Sequence, residues 1–143
     1  MHLKEALERH LKATSVIKAL INEVVYFGNA PEKSPFKFVT YDRYAPNQYS
    51  HVLGADSGYL DGYYQISIYS KSATDTQAIA DVIRKSLMNF SGELGGYTSG
   101  QNHINGVTIQ AAEIEGEQDF NTGNLKEFCV IQEYKFTYIE EVT

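Results

Sequence analysis

The stretch from Thr74 to Phe90 constrains this chain most. Ile79, Val82, Ile83, Leu87 and Phe90 fall on one stripe of a helix, and Ser72 or Thr74 can cap it. A helix with one apolar stripe needs a second layer to bury it. The runs on either side supply that layer. Tyr63 to Ser70 alternates, with Tyr64, Ile66 and Ile68 on one face and Tyr63, Gln65, Ser67 and Tyr69 on the other. Val107 to Glu115 reads as a strand. So does the run from about Leu125 to Ile139, with Phe128, Val130, Tyr134, Phe136 and Tyr138 on one face and Cys129 and Ile131 on the other. Asn121, Gly123 and Asn124 supply the turn between these two strands, which makes them a hairpin.

Upstream, Leu3, Ala6, Leu7 and Leu11 mark an amphipathic helix from His2 to Thr14, and Ser15 can cap a short second segment, Val16 to Glu23. Residues 24 to 30 favour a short strand broken at Gly28, Asn29 and Pro31, and Phe36 to Tyr44 is the next. Two stretches resist assignment. Ala45 to Gly62, with Pro46, Asn47, Gly54, Gly58 and Gly62, reads as a long loop or arm, and the Gly-rich loop at about 92–106 has no regular structure. The expectation is an α+β fold: an antiparallel, mainly four-stranded sheet with helices packed on it, in the order α-β-β-α-β-β. A length of 143 residues fits one domain spanning 1–143.

Several kinds of chemistry lack their residues. His2, His10, His51 and His103 are scattered, so no metal-ligand spacing is present. No Gly-x-Ser-x-Gly elbow occurs, and Cys129 lies inside a strand, where an inert buried thiol is expected. One cysteine forms no internal disulfide, which points to a reducing, cytoplasmic site of folding. Glu93-Leu94-Gly95-Gly96 hints at a phosphate loop, but no Lys or Arg stands between Lys85 and Lys126. The best acid/base candidates are His51, Asp56 and Asp61, although Asp61-Gly62 is also ordinary turn chemistry. Lys4, Glu5, Glu8, Arg9 and Lys12 interrupt every apolar run near the start, and no later run approaches the roughly 20 apolar residues that cross a bilayer. No enzyme activity, cofactor or membrane association is expected.

The net charge of −6 is uneven. From residue 113 onward, Glu113, Glu115, Glu117, Asp119, Glu127, Glu133, Glu140 and Glu141 face only Lys126 and Lys135, so this segment carries all of it. Such a segment disfavours phosphate binding. It is either a solvated sheet face or a surface that repels DNA. The eleven tyrosines are the other distinctive feature, with Tyr44, Tyr49 and Tyr59 in or beside the long loop and Tyr97 in the Gly-rich one. They either pack onto their own sheet or form a partner interface.

In order, these features resemble the tail terminator or tail completion family of long-tailed bacteriophages and related gene-transfer particles. The match runs through the opening helix, Val25-Tyr26 followed by Ala30-Pro31, and Pro35-Phe36 leading to Val39 and Tyr41. It continues through Gln65-Ile66-Ser67-Ile68-Tyr69, the helix Ala78-Ile79-Ala80-Asp81-Val82-Ile83-Arg84 and the aromatic closing strands. It covers nearly the whole chain and departs from the family at Gly95 to Asn105, where a short loop is usual.

The resemblance implies a structural subunit that assembles with itself into a ring, a hexamer, on the head-proximal end of the tail tube. That ring ends tube growth and helps join the head, so its partners are the tail tube protein and a head-tail connector protein. Assembly would take place in the host cytoplasm and the product would sit in the virion tail. Tyr44, Tyr49, His51 and Tyr59 become candidate interface residues. Glu113, Glu115, Glu117, Glu127 and Glu133 become candidate linings of a channel through which DNA passes without binding. Three other readings stay open: a head-side connector, a monomeric domain binding a small ligand under the 74–90 helix, and an enzyme using His51, Asp56 and Asp61.

Overall fold

The alternating run 63–70 and the aromatic run 128–139 lie in strands, and the period-3.6 stripes over 3–11 and 79–87 lie in helices. The computed structural model describes residues 1–31, 37–52, 55–121 and 127–139, with 48–52, 55–58 and 121 described by their backbone. The described residues form three helices, α1 (Leu3–Ala13), α2 (Ser15–Ile21) and α3 (Ala73–Leu87). The strands are β1 (Val25–Phe27), β2 (Phe38–Val52), β3 (Ala55–Ser70), β4 (Gly92–Leu94), β5 (Tyr97–Ser99), β6 (Asn102–Ile104), β7 (Val107–Asn121) and β8 (Phe128–Ile139). Six of them form one sheet in the order β1-β2-β3-β8-β7-β4, while β5 and β6 pair as a separate small hairpin. Only β1 and β2 run parallel.

One face of this sheet carries Val39, Tyr41, Tyr64, Ile66, Ile68, Val130, Tyr134 and Phe136, all buried. The apolar stripes of the helices cover it with Ala6, Leu7 and Leu11 from α1, Ile17 and Ile21 from α2, and Ile79, Ala80, Ile83 and Leu87 from α3. Each such large aliphatic side chain contributes about 1.5–3 kcal/mol when removed from water. Helix α3 starts as the sequence suggests, with the Ser72 hydroxyl accepting from the Asp75 N–H at 3.3 Å. Helix α2 is preceded by Thr14 rather than Ser15, and the Thr14 hydroxyl donates instead to the His10 carbonyl at 2.7 Å.

Two polar groups tie the layers together. Gln132 is fully buried on β8; its amide donates to the Ala80 carbonyl at 2.8 Å and to Glu117 Oε1 at 2.9 Å, and its Oε1 accepts from the Tyr134 hydroxyl at 2.8 Å. His10 on α1 meets Ser86 Oγ of α3 at 3.0 Å, with its ring edge-on to Phe90. Because Ser86 Oγ already donates to the Ile83 carbonyl, His10 is the donor between them. Burial lowers the His10 pKa to about 4.

The architecture differs from the expected four-stranded sheet and its α-β-β-α-β-β order in three places. The 45–62 stretch is not a loop: β2 and β3 continue through it as a paired hairpin whose register shifts between Arg43 and Ala45, Ala45 and Gln48, and Tyr49 and His51. Bulges absorb the irregular residues, and Pro46 falls within the shift between Ala45 and Gln48, with no described strand on the outer side of β2 there. Gly62, which reads as a turn residue, sits mid-strand where a Cβ would lie 2.8 Å from Leu3 Cδ2. It is there to let α1 approach. The Gly-rich 92–106 stretch forms β4, pairing with β7, and the β5–β6 hairpin. Finally, β7 runs to Asn121 rather than stopping at Glu115. The expected turn at Asn121, Gly123 and Asn124 lies largely outside the described residues.

Candidate assembly surface

No described element covers the second face of the sheet. Register and alternation place on it Tyr26, Phe38, Asp42 and Tyr44 from β1 and β2, then Tyr63, Gln65 and Tyr69 from β3. From β8 and β7 come Ile131, Glu133, Lys135, Thr137 and Glu113. Aromatic rings cluster here. Phe38 stacks on Tyr69 with centroids 4.8 Å apart and meets Tyr26 edge-on at 6.3 Å, while Tyr44 meets Tyr63 edge-on at 5.8 Å. Tyr44 is 37% exposed. Its phenol pKa is raised, first by partial burial and then by the charges of Glu133 and Glu115, which lie within electrostatic range of it.

The other candidate interface residues fall on the same hairpin. Tyr59 is half-buried opposite Ile139, Tyr49 stands opposite Leu60 in the ladder, and His51 stands opposite Asp56. The side chains of Tyr49, His51 and Asp56 lie outside the described residues. Asp61 accepts from the Thr137 hydroxyl at 2.7 Å. Its backbone is five strand positions from that of Asp56, or about 17 Å at 3.4 Å per residue.

The acidic residues separate into two groups. Glu113 and Glu133 are on the open face, opposite Lys135 and Gln65 respectively, and Glu115 joins them at the bulge between Ile114 and Gly116. Glu127, just before β8, acts electrostatically on Tyr69 and Cys129 of the same face. Glu117 points to the helical side, where Gln132 and the Arg84 guanidinium (3.4 Å) bind it. Across the four long strands, the open face sets Asp42, Asp61, Glu113, Glu115 and Glu133 against Lys135 alone, among the described side chains. The sequence already set Tyr69 on this side of β3, but Tyr26, Phe38 and Tyr69 were not named as candidate interface residues. The signal was present in the alternation of β3, which puts aromatic residues on both of its sides.

Elsewhere the surface offers little chemistry. Under α3 the groove beside Ala73, Thr76, Phe120 and Phe128 holds about 240 Å³, below the roughly 300–1,000 Å³ of typical ligand pockets. The helix underside is filled by its own core residues. A larger open cleft of about 680 Å³ lies beside the start of α1, where Lys4 Nζ sits 3.6 Å above the Phe27 ring and Arg43, Asn47 and Tyr138 complete the wall. Its charges are mixed, with Glu5 and Glu8 facing Lys4 and Arg43. Burial raises the Cys129 thiol pKa, the wrong direction for a nucleophile. Among the described residues no three His, Cys, Asp or Glu side chains converge as a metal site, and no helix is long and apolar enough to cross a membrane.

The sequence model of the family described as "Tail completion protein gp17" matches residues 5–136. Among solved structures, a chain from "Virion of native gene transfer agent (GTA) particle" is similar with a TM-score of 0.69 at 13% identity, covering 96% of this chain and 95% of that one. A second solved chain, covered end to end (100% of both chains), has a TM-score of 0.56 at 11% identity. At these identities the likeness concerns the fold. No curated protein matches the sequence.

Proposed function

We propose, from the premise that this chain belongs to the tail completion protein gp17 family, that it forms a ring on the head-proximal end of the tail tube, ending tube growth and helping head-tail joining. The observation that carries this reading is the two-sided sheet. Helices close one face, and the other stays open, aromatic and acidic, extended by the β2–β3 arm. A solvated second face is ordinary for an antiparallel sheet, but the cluster of partly exposed aromatic rings on this one suits an assembling subunit.

The aromatic sector and the acidic sector of this face suit different tasks. Tyr44 lies on the open face and Tyr59 pairs with Ile139 at the last described residue of β8, with Tyr49 and His51 further along the hairpin, where the next subunit, the tail tube protein or the head-tail connector protein can bury them. Glu113, Glu115 and Glu133, with Glu127 further off just before β8, present like charge to a passing polyanion, which keeps DNA moving rather than bound. Glu117 serves the subunit's own packing instead. The ring is hexameric, assembles in the host cytoplasm and remains in the virion tail. The mechanism is one of interfaces, with no catalytic step and no cofactor.

Light scattering over a concentration series, with and without purified tail tubes, tests the reading. A ring mass on its own or on tubes supports it. A strict monomer that ignores tubes but binds purified heads would move the protein to the connector side.

A further inference from the structure

The sheet ends in two strand edges that no described element finishes along their full length. On one side β1 pairs with β2 only over Val39–Tyr41, where the Gly28 N–H donates to the Tyr41 carbonyl at 2.9 Å. From Asp42 to Val52 the outer edge of β2 has no strand beside it among the described residues. On the other side β4 pairs with β7 only over Val107–Ile109, and the Asn89 N–H donates to the Ala112 carbonyl at 3.0 Å. From Glu113 to Asn121 the outer edge of β7 is likewise uncovered. Alternate residues of such an edge turn an N–H and a C=O away from the sheet, ready for a further strand. The segment Gly116–Asn121 keeps unbroken register with Phe128–Glu133, without bulge or proline, so it offers a regular edge about 20 Å long.

Charge decides which strand can occupy it. The β7 edge carries Glu113, Glu115, Glu117 and Asp119 and no cation. Two copies of this edge paired about a two-fold axis would bring acid against acid. The uncovered β2 edge, from Asp42 to Val52, carries one acid, Asp42, beside Arg43 and is formally neutral, so it meets the acidic β7 edge without the repulsion of a second acidic edge. We infer that adjoining protomers pair edge to edge, with β7 of one copy against β2 of the next. This inference rests on the ring reading above and supplies its heterologous contact. Repeating such a contact gives a ring where its rotation closes, while a back-to-back dimer is disfavoured by like charge. Pro46 and the three register shifts of β2 limit the pairing to a few residues at a time. One interface alone is therefore weak, and closure stabilises the set through effective concentration.

A photo-cross-linking residue, p-benzoylphenylalanine, placed at exposed Gln118 reports the neighbour without assuming a register. The full chain, mixed from isotopically labelled and unlabelled copies, is assembled on tail tubes, irradiated and mapped by mass spectrometry. The expected result is a covalent ladder beyond the dimer, with intermolecular links from position 118 into residues 42–52. Independently, amide exchange over residues 113–121 should slow at least tenfold on assembly. Rings that show links only to another copy's 113–121 segment, or elsewhere, or no slowing of exchange, overturn the pairing and leave the ring reading standing. A chain that forms no oligomer with or without tubes overturns both.

Discussion

Replacing Gln132 with leucine tests whether the packing of α3 on the sheet rests on the polar network as described. Gln132 is fully buried, and so is Tyr134, whose hydroxyl donates to Gln132 Oε1 at 2.8 Å. In Gln132→Leu that hydroxyl loses its acceptor and has no water to replace it, a cost of about 1–3 kcal/mol. The other two partners lose less. The Ala80 carbonyl lies inside α3 and keeps its intrahelical bond, and Glu117 keeps Arg84 at 3.4 Å. A net loss of about 2 kcal/mol follows, worth a fall of about 4–10 °C in Tm for a domain of this size. Adding Tyr134→Phe removes the orphaned hydroxyl, so the double variant should recover at least half of the loss. The protein has no tryptophan, so urea unfolding is followed by far-UV circular dichroism and tyrosine fluorescence. A single variant within about 0.5 kcal/mol of wild type, or a double variant whose losses simply add, would refute the network.

Three further outcomes follow from the same geometry. The folded His10 pKa of about 4 lies below its ordinary 6.5, so the unfolded chain binds more protons between those values and stability falls as pH drops from 6.5 towards 4; urea unfolding at pH 7 and 4.5 should differ by about 2 kcal/mol more in wild type than in His10→Phe. Gly95 has φ +75° and a Cβ there would sit 2.6 Å from the Ala6 backbone, so Gly95→Ala should cost about 2 kcal/mol or more by thermal unfolding, and an unchanged Tm would contradict the close approach of α1. Combining Glu113→Lys, Glu115→Lys and Glu133→Lys should create duplex DNA binding, read by fluorescence anisotropy, that weakens steeply between about 50 and 200 mM salt, whereas equal binding by wild type would remove the case for a repelling face.

Burial explains what could be read from the sequence and what could not. The stripes of α1 and α3 and the alternation of β8 were legible because each buries one face against a single neighbouring layer. The β2–β3 hairpin was not, because Pro46, Gly58 and Gly62 carry turn chemistry locally while the ladder with β8 and the approach of Leu3 decide the backbone. The Gly-rich 92–106 stretch was hidden for the same reason: β4 exists only because β7 lies beside it. Gln132 is a polar residue in a core position, and nothing in its local sequence announces that Ala80, Glu117 and Tyr134 converge on it. For the candidate surface, Tyr44 and Glu133 were named separately, but their proximity depends on a register that only the folded sheet supplies. Glu117 could not be told from Glu115 without the bulge that turns one of them to the helical side.

The most direct test of tube capping is electron microscopy of tail tube protein polymerising in the presence of the gold-labelled chain. Capping predicts label at one end of each tube, and tubes that stop lengthening once labelled. Label scattered along tube walls, or tubes that grow at the same rate from labelled ends, would contradict it.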